Sequence, residues 1–277
     1  MRSEIEKTKT HSVYFIGAGP GHAKYLTLEG NEALDECAVI YALSPYLDTF
    51  DHLLTGKTVR NPFERVFDEL IREVEEGLGS APVGFLVPGD MTVFSPFLPL
   101  VEYFSTRSKV IPGVGALNAA AALIKQTLNM PGISHSVILT SPKHVDKDGD
   151  MEELDRLARA AGTMVLYMNN RPLHQLAEEL SGGFKPDTPV AVVSCVGMQS
   201  EKIYRCTLST MAESVGDDDI FGFASGDPSL AIIIIGDVLD AKSDPASWDK
   251  RKKEFWDKRK GRGGETGKPF DRLRARR

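Results

Sequence analysis

No long hydrophobic run interrupts the 277 residues. Nothing approaches the roughly 20 consecutive apolar residues that a membrane helix needs. The longest candidate, Leu230 to Ile235, is strand-length and stops at Gly236 and Asp237. The opening MRSEIEKTKTHS is polar and lacks the apolar centre of a secretory signal, so the expected location is the cytoplasm. Cysteine is scarce. Cys37, Cys195 and Cys206 are odd in number, without CxxC spacing and without a His pair at ligand spacing. That excludes a disulfide framework, gives no metal site, and leaves buried thiols as the expectation. The chain also lacks GxxxxGK[ST], which excludes a phosphate-cradling P-loop. No nucleophile–base–acid triad stands out.

What is present is ordinary in bulk. Hydrophobic residues make up 42% and charged residues 26%, a globular composition in a chain long enough for two domains with buried cores. The net charge of −6 conceals an asymmetry. Residues 241–277 hold 14 Lys/Arg against 6 Asp/Glu, a local +8, so residues 1–240 carry −14. An acidic body argues against nucleic-acid binding. The basic tail is poor in apolar residues and Gly-rich after residue 260. It is expected to be mobile or loosely helical.

Along the chain, short apolar runs alternate with helical periodicity, the pattern of an α/β fold. Residues 13–16, 38–41, 83–87 and 109–111 read as strands. Residues 28–37, 63–77, 97–103 and 118–128 read as helices, the second on a stripe through Phe63, Val66, Phe67, Leu70, Ile71 and Val74. The pattern then restarts, with strands at 136–140, 163–168, 189–194, 203–207 and 229–235 and helices at 151–161 and 173–180. The expected organisation is an N-terminal α/β domain over 1–114, a C-terminal α/β domain over 115–241, and the basic tail over 242–277.

Three glycine-bearing loops each follow a strand: Gly17-Ala18-Gly19-Pro20-Gly21, Gly89-Asp90-Met91, and Pro112-Gly113-Val114-Gly115. In open α/β sheets, ligands bind beyond the carboxyl ends of strands, and glycine there lets a ligand approach the backbone. Three such loops in one domain point to a site. The first is not a dinucleotide fingerprint, because its spacing is GxGxG. Pro20 also removes an N–H that would face a pyrophosphate.

The run from Val13 to Gly21, then Leu26-Thr27-Leu28 and Ala33-Leu34, resembles the opening of the tetrapyrrole methylases. Pro88-Gly89-Asp90 resembles that family's G-D-P loop, and Pro112-Gly113-Val114 its P-G-V/I segment. The stretch from Met130 to Thr140 is similar to the branch that methylates precorrin-4 or cobalt-precorrin-4 at C11. Residues 163–168, 188–193 and 228–239 are similar to the family's C-terminal strands.

The resemblance implies two α/β domains with mixed sheets and a cleft between them, a homodimer, S-adenosyl-L-methionine as methyl donor, and a tetrapyrrole, a corrinoid precursor, as acceptor. By the same carry-over, Pro20, Gly89, Asp90, Val93, Gly115 and Ala116 hold the donor from the first domain. Met168, Val196, Pro228, Ser229 and Leu230 cover it from the second. Asp90 is the strongest single candidate, since a carboxylate accepts charge-assisted hydrogen bonds from the donor's ammonium or hydroxyls. The family pattern is broken at His22, Met91, Phe94 and Gly115, around the cleft. His22 is a candidate base, and Lys24, Lys143 and Arg171 are candidate partners for acceptor carboxylates. No catalytic residue is assigned. Two other readings stay open: a methyltransferase of this fold acting on RNA or a protein side chain, and a non-catalytic relative that binds donor or tetrapyrrole.

Overall fold

The structure is a computed structural model that describes the backbone of residues 11–145, 151–226 and 230–260. Contacts divide the chain into two compact units, Met1–Leu239 and Asp240–Arg277. The first unit contains two five-stranded sheets.

The first sheet is built from β1 (Val13–Gly17), β2 (Val39–Tyr41), β3 (Thr58–Arg60), β4 (Val83–Val87) and β5 (Ser108–Ile111). Their order is β3-β2-β4-β1-β5 and every neighbouring pair is parallel. A parallel sheet buries both faces, which is why β4 is apolar and buried along its whole length. On one face Phe15, Phe85 and Val87 pack against Leu70, Ile71 and Val74 of the helix Phe67–Leu78. On the other, Ile16, Ile40, Leu86 and Ile111 meet Ala33 and Leu34 of the helix Leu28–Glu36. That helix starts where it does because the Thr27 hydroxyl accepts from the Gly30 N–H.

The second sheet contains β6 (Val137–Thr140), β7 (Thr163–Tyr167), β8 (Pro189–Ser194), β9 (Lys202–Thr207) and β10 (Ala231–Ile235). Its order is β6-β7-β10-β8-β9, with only the β6–β7 pair parallel, so it is mixed. Side chains alternate between its faces. Met164, Leu166, Val190, Val192, Ile233 and Ile235 point to a core shared with Leu154, Leu176 and Leu180. Val165, Ala191, Val193, Ile232 and Ile234 point the other way, onto Ala119 and Ala120 of the helix Ala116–Leu123.

Several elements differ from the sequence reading. The helix expected over 63–77 begins only at Phe67, because Pro62–Glu64 form a 3-10 turn and Val66 is extended. The alanine-rich helix expected over 118–128 runs from Ala116 to Leu123 and stops where Lys125 turns left-handed, with φ 57°. Strand β3 was not foreseen. It is three residues long and exposed at every position on the sheet edge, so it carries no apolar alternation. The short helices Tyr46–Thr49 and Asp51–Leu54 were also unassigned.

In the second unit, Ala246–Lys260 is a helix, as its many Lys and Arg residues favour. Residues 261–277 of the tail lie outside the described residues.

Candidate ligand cleft

Strand β1 lies between β4 and β5, with Gly17 beside Val87 and Ile16 beside Ile111. Three carboxyl ends that are far apart in sequence therefore emerge as neighbours, and their loops meet. Gly19 N–H donates to Gly89 O at 3.1 Å, Gly89 N–H returns to Gly19 O at 2.8 Å, and Ala18 N–H reaches Val87 O at 2.8 Å. The contact is backbone against backbone. A β-carbon on Gly17 would sit 2.5 Å from Gly113 Cα, and one on Gly113 would sit 2.7 Å from Gly17 Cα and collide with Gly89 O. Only glycine permits that approach.

Asp90 fastens the second loop to the third. Its Oδ2 accepts from Gly113 N–H at 2.8 Å, while Oδ1 accepts from Thr92 N–H at 2.9 Å and from the Thr92 hydroxyl. Burial alone pushes the carboxyl up. The bonds from the Thr92 hydroxyl, the Gly113 N–H and the Thr92 N–H outweigh it and hold the group below the usual carboxylate range. Tyr46 fastens the first loop, its hydroxyl donating to Gly19 O at 2.9 Å; burial pushes this phenol well above its ordinary value.

Opposite these loops stands the end of the second sheet. Ile232 lies beside both Tyr167 and Val193, because β10 runs antiparallel to β7 and β8. The two sides enclose a cavity of about 780 Å³, within the range typical of small-molecule and cofactor sites. Phe94 from the first side and Tyr167 from the second meet across it, with ring centroids 5.3 Å apart. The helix Ala116–Leu123 opens onto the cavity through Gly115, Ala116, Leu117 and Asn118, and the Tyr167 hydroxyl is hydrogen-bonded to the Leu117 backbone in its first turn. Three non-glycine residues at the cavity are left-handed: Phe94 at φ 54°, Met168 at φ 49°, and Cys195 at φ 51° just before the lining residue Val196. Such conformations cost about 1–3 kcal/mol each and persist where the surroundings impose them.

Of the candidates read from the sequence, Pro20, Gly89, Asp90, Val93, Gly115, Ala116, Met168, Val196 and Leu230 all line this one cavity. Pro228 and Ser229 lie outside the described residues. Among the basic candidates, Lys143 lines the cavity and is the sole cation among its described lining residues, as Asp90 is the sole acid. Arg171 does not reach it. Its side chain is 5% exposed and paired with Glu179, which also takes a bond from Gln175. Lys24 lies over the Tyr25 ring instead. His22 is exposed and its Nδ1 accepts from the Lys24 N–H, so it caps a 3-10 turn and is not among the cavity's lining residues. Burial pushes the Cys37 thiol up to about 12, so it is no nucleophile at neutral pH.

Sequence reasoning missed Tyr46, Thr92, Phe221 and Phe223, which also line the cavity. The Asp-x-Thr spacing at 90–92 was a readable turn signal. Nothing in the sequence singles out the others.

Fold and cavity together define an α/β protein with a ligand cleft between a parallel and a mixed sheet. Residues 12–212 match the Tetrapyrrole (Corrin/Porphyrin) Methylases, and the chain belongs to this family. It is 30% identical over 240 residues to the cobalt-precorrin-4 C(11)-methyltransferase of Methanocaldococcus jannaschii, covering 83% of this chain and 89% of that protein. It is 31% identical over 245 residues to the precorrin-4 C(11)-methyltransferase of Rhodococcus erythropolis, covering 86% and 95%. Among solved structures, the uroporphyrin-III C-methyltransferase of Thermus thermophilus, complexed with S-adenosylhomocysteine, superposes with a TM-score of 0.64 at 26% identity, covering 83% of this chain and 99% of that one.

Proposed function

We propose that the chain is an S-adenosylmethionine-dependent C-methyltransferase whose acceptor is a precorrin-4-like tetrapyrrole. The observation that carries this reading is the meeting of three glycine loops, one carboxylate and the start of the helix Ala116–Leu123 in a single cavity. The donor is a sulfonium nucleoside with an amino-acid arm, and the residues present fit it. Asp90 offers its remaining lone pairs to an ammonium or ribose hydroxyl. The N–H groups at Ala116 suit a carboxylate. The rings of Phe94 and Tyr167 favour a nearby cation. The curated relatives' names supply the acceptor class.

When bound, the donor supplies a methyl group already activated for attack by an electron-rich carbon. The chain's own task is then positioning. Well-oriented reactants gain effective molarities of about 10⁵ M or more, so no side-chain nucleophile is required. The loops around Gly19, Gly89 and Gly113 form the floor, Asp90 ties the second loop to the third, and the second sheet supplies the other wall.

The two sheets are read as two lobes, 1–114 and 115–241, with 242–277 as a basic appendage. Among the described residues, no helix is long and apolar enough to cross a membrane, and the proposed location is the cytoplasm. The proposed assembly is a homodimer. Exposed Phe67 and Tyr103, whose rings meet edge-on at 6.4 Å, support it, since adjoining exposed apolar side chains mark association surfaces.

The direct test is calorimetric titration with S-adenosylmethionine, followed by methyl transfer to precorrin-4 with and without cobalt. Micromolar donor binding and mass gain of one methyl are expected. Donor binding without transfer to any tetrapyrrole would leave a binder rather than an enzyme. Lys143→Glu should raise the acceptor KM about tenfold by replacing attraction with repulsion of an acceptor carboxylate, on the scale of a charge-assisted bond, and leave donor affinity within twofold. An unchanged acceptor KM would remove Lys143 from acceptor recognition.

A further inference from the structure

Residues 219–226, which follow the helix Met211–Val215, are ordered around one carboxylate. Asp219 Oδ1 accepts from Phe223 N–H at 2.7 Å, and its Oδ2 accepts from Ala224 N–H at 3.1 Å and Ser225 N–H at 2.8 Å. One exposed carboxylate thus gathers three successive backbone donors. Gly222 and Gly226 turn the chain left-handed at φ 71° and 76°, and Gly226 N–H closes onto Gly222 O at 3.0 Å. These backbone bonds also hold the Asp219 carboxyl below its usual range, Ser225 contributing most.

The loop presents two aromatic rings, stacked at 5.7 Å and 27°. They are not equivalent. Phe221 is buried within the second sheet's core, whereas Phe223 is 54% exposed and belongs to no core cluster. Both line the cavity, together with Leu139, Tyr167 and Phe94. A large aromatic side chain kept half open on a tightly bonded loop presents an apolar face to whatever enters. Such a face suits a flat conjugated ligand, since rings prefer offset stacking.

We infer that Phe223 is the stacking face for the acceptor macrocycle and that Asp219 is its positioning residue, which makes residues 219–226 a specificity element of the cleft. This rests on the methyltransferase reading above. The acceptor class is a polycarboxylated tetrapyrrole, a conjugated portion of whose macrocycle lies against Phe223 while its charged arms reach solvent and Lys143. Asp219 touches no ligand. It acts by fixing the backbone that carries the ring.

The experiment uses the full chain and two probes: uroporphyrin, followed by its own fluorescence, and S-adenosylhomocysteine, followed by calorimetry. Phe223→Ala and Asp219→Ala should each weaken uroporphyrin binding about tenfold and raise the acceptor KM to match, with kcat within twofold. Phe223→Tyr, which keeps the ring, should bind within twofold of the unaltered chain. Donor-product affinity should stay within twofold throughout. Phe223→Ala binding the porphyrin normally, or losing both ligands equally, would overturn the inference. So would an unaltered chain that holds S-adenosylhomocysteine but no porphyrin. A chain that holds neither ligand would remove the methyltransferase reading along with it.

Discussion

Gly113→Ala should abolish S-adenosylmethionine binding and lower Tm by roughly 2–12 °C. The added β-carbon would lie 2.7 Å from both the Cα and the carbonyl carbon of Gly17 and would collide with Gly89 O. These are backbone atoms of two parallel strand ends, so no side chain can swing aside. Overpacking of this kind costs about 1–3 kcal/mol, and each kcal/mol moves Tm by about 2–4 °C in a chain of this size. Relief requires the third loop to move away from the first two, which opens the floor on which the donor would lie. Differential scanning calorimetry and donor titration on the same sample test both halves. Wild-type melting with wild-type affinity would show that the three loops are not a rigid unit.

Asp90→Ala should reduce donor affinity at least about 100-fold. Two losses combine. One is a charge-assisted bond to the donor, worth about 1.5–3 kcal/mol. The other is the anchor of Gly113, whose N–H now donates to Asp90 at 2.8 Å. Leaving that half-buried N–H unpaired costs about 1–3 kcal/mol of stability, so Tm should also fall by a few degrees. Asp90→Asn keeps one oxygen for Gly113 and should fall between the two. The pH dependence has a definite sign. The carboxyl is held below its ordinary value of 3.8 in the folded chain. Its contribution is therefore complete above about pH 4 and is lost only as pH falls through the lower folded value. The Tm gap between wild type and Asp90→Ala should stay constant from pH 5 to 8 and narrow only in stronger acid. Unchanged donor affinity in Asp90→Ala would make the carboxylate a purely internal tie.

The sheets were largely legible because burial on both faces leaves continuous apolar runs. Val83–Val87 and Ala231–Ile235 are buried at every position, and such segments are readable one strand at a time. Strand β3 was not, since an exposed edge strand has no buried face to impose a pattern. The helix start at Phe67 was misplaced because the apolar stripe continues through Phe63 and Val66, which the structure leaves exposed ahead of the helix. Periodicity records which residues are apolar, not which of them a neighbour covers.

The candidate site divides in the same way. Its glycine loops could be placed because turn chemistry is local and follows each strand in the chain. The role of Arg171 could not, since apolar periodicity does not reveal that it is buried and paired with Glu179 of the following helix Leu173–Leu180.

From the order of residues alone come the alternation of strands and helices, the glycines at three strand ends, and the acid at position 90, because each rests on neighbours within a few positions. Tertiary structure decided that those three ends are adjacent, through the placing of β1 between β4 and β5. It also decided which charged side chains face the cavity and that Asp219 holds Phe223 at its wall. Those outcomes join residues far apart in the chain or depend on what packs around them, and only packing can bring them together.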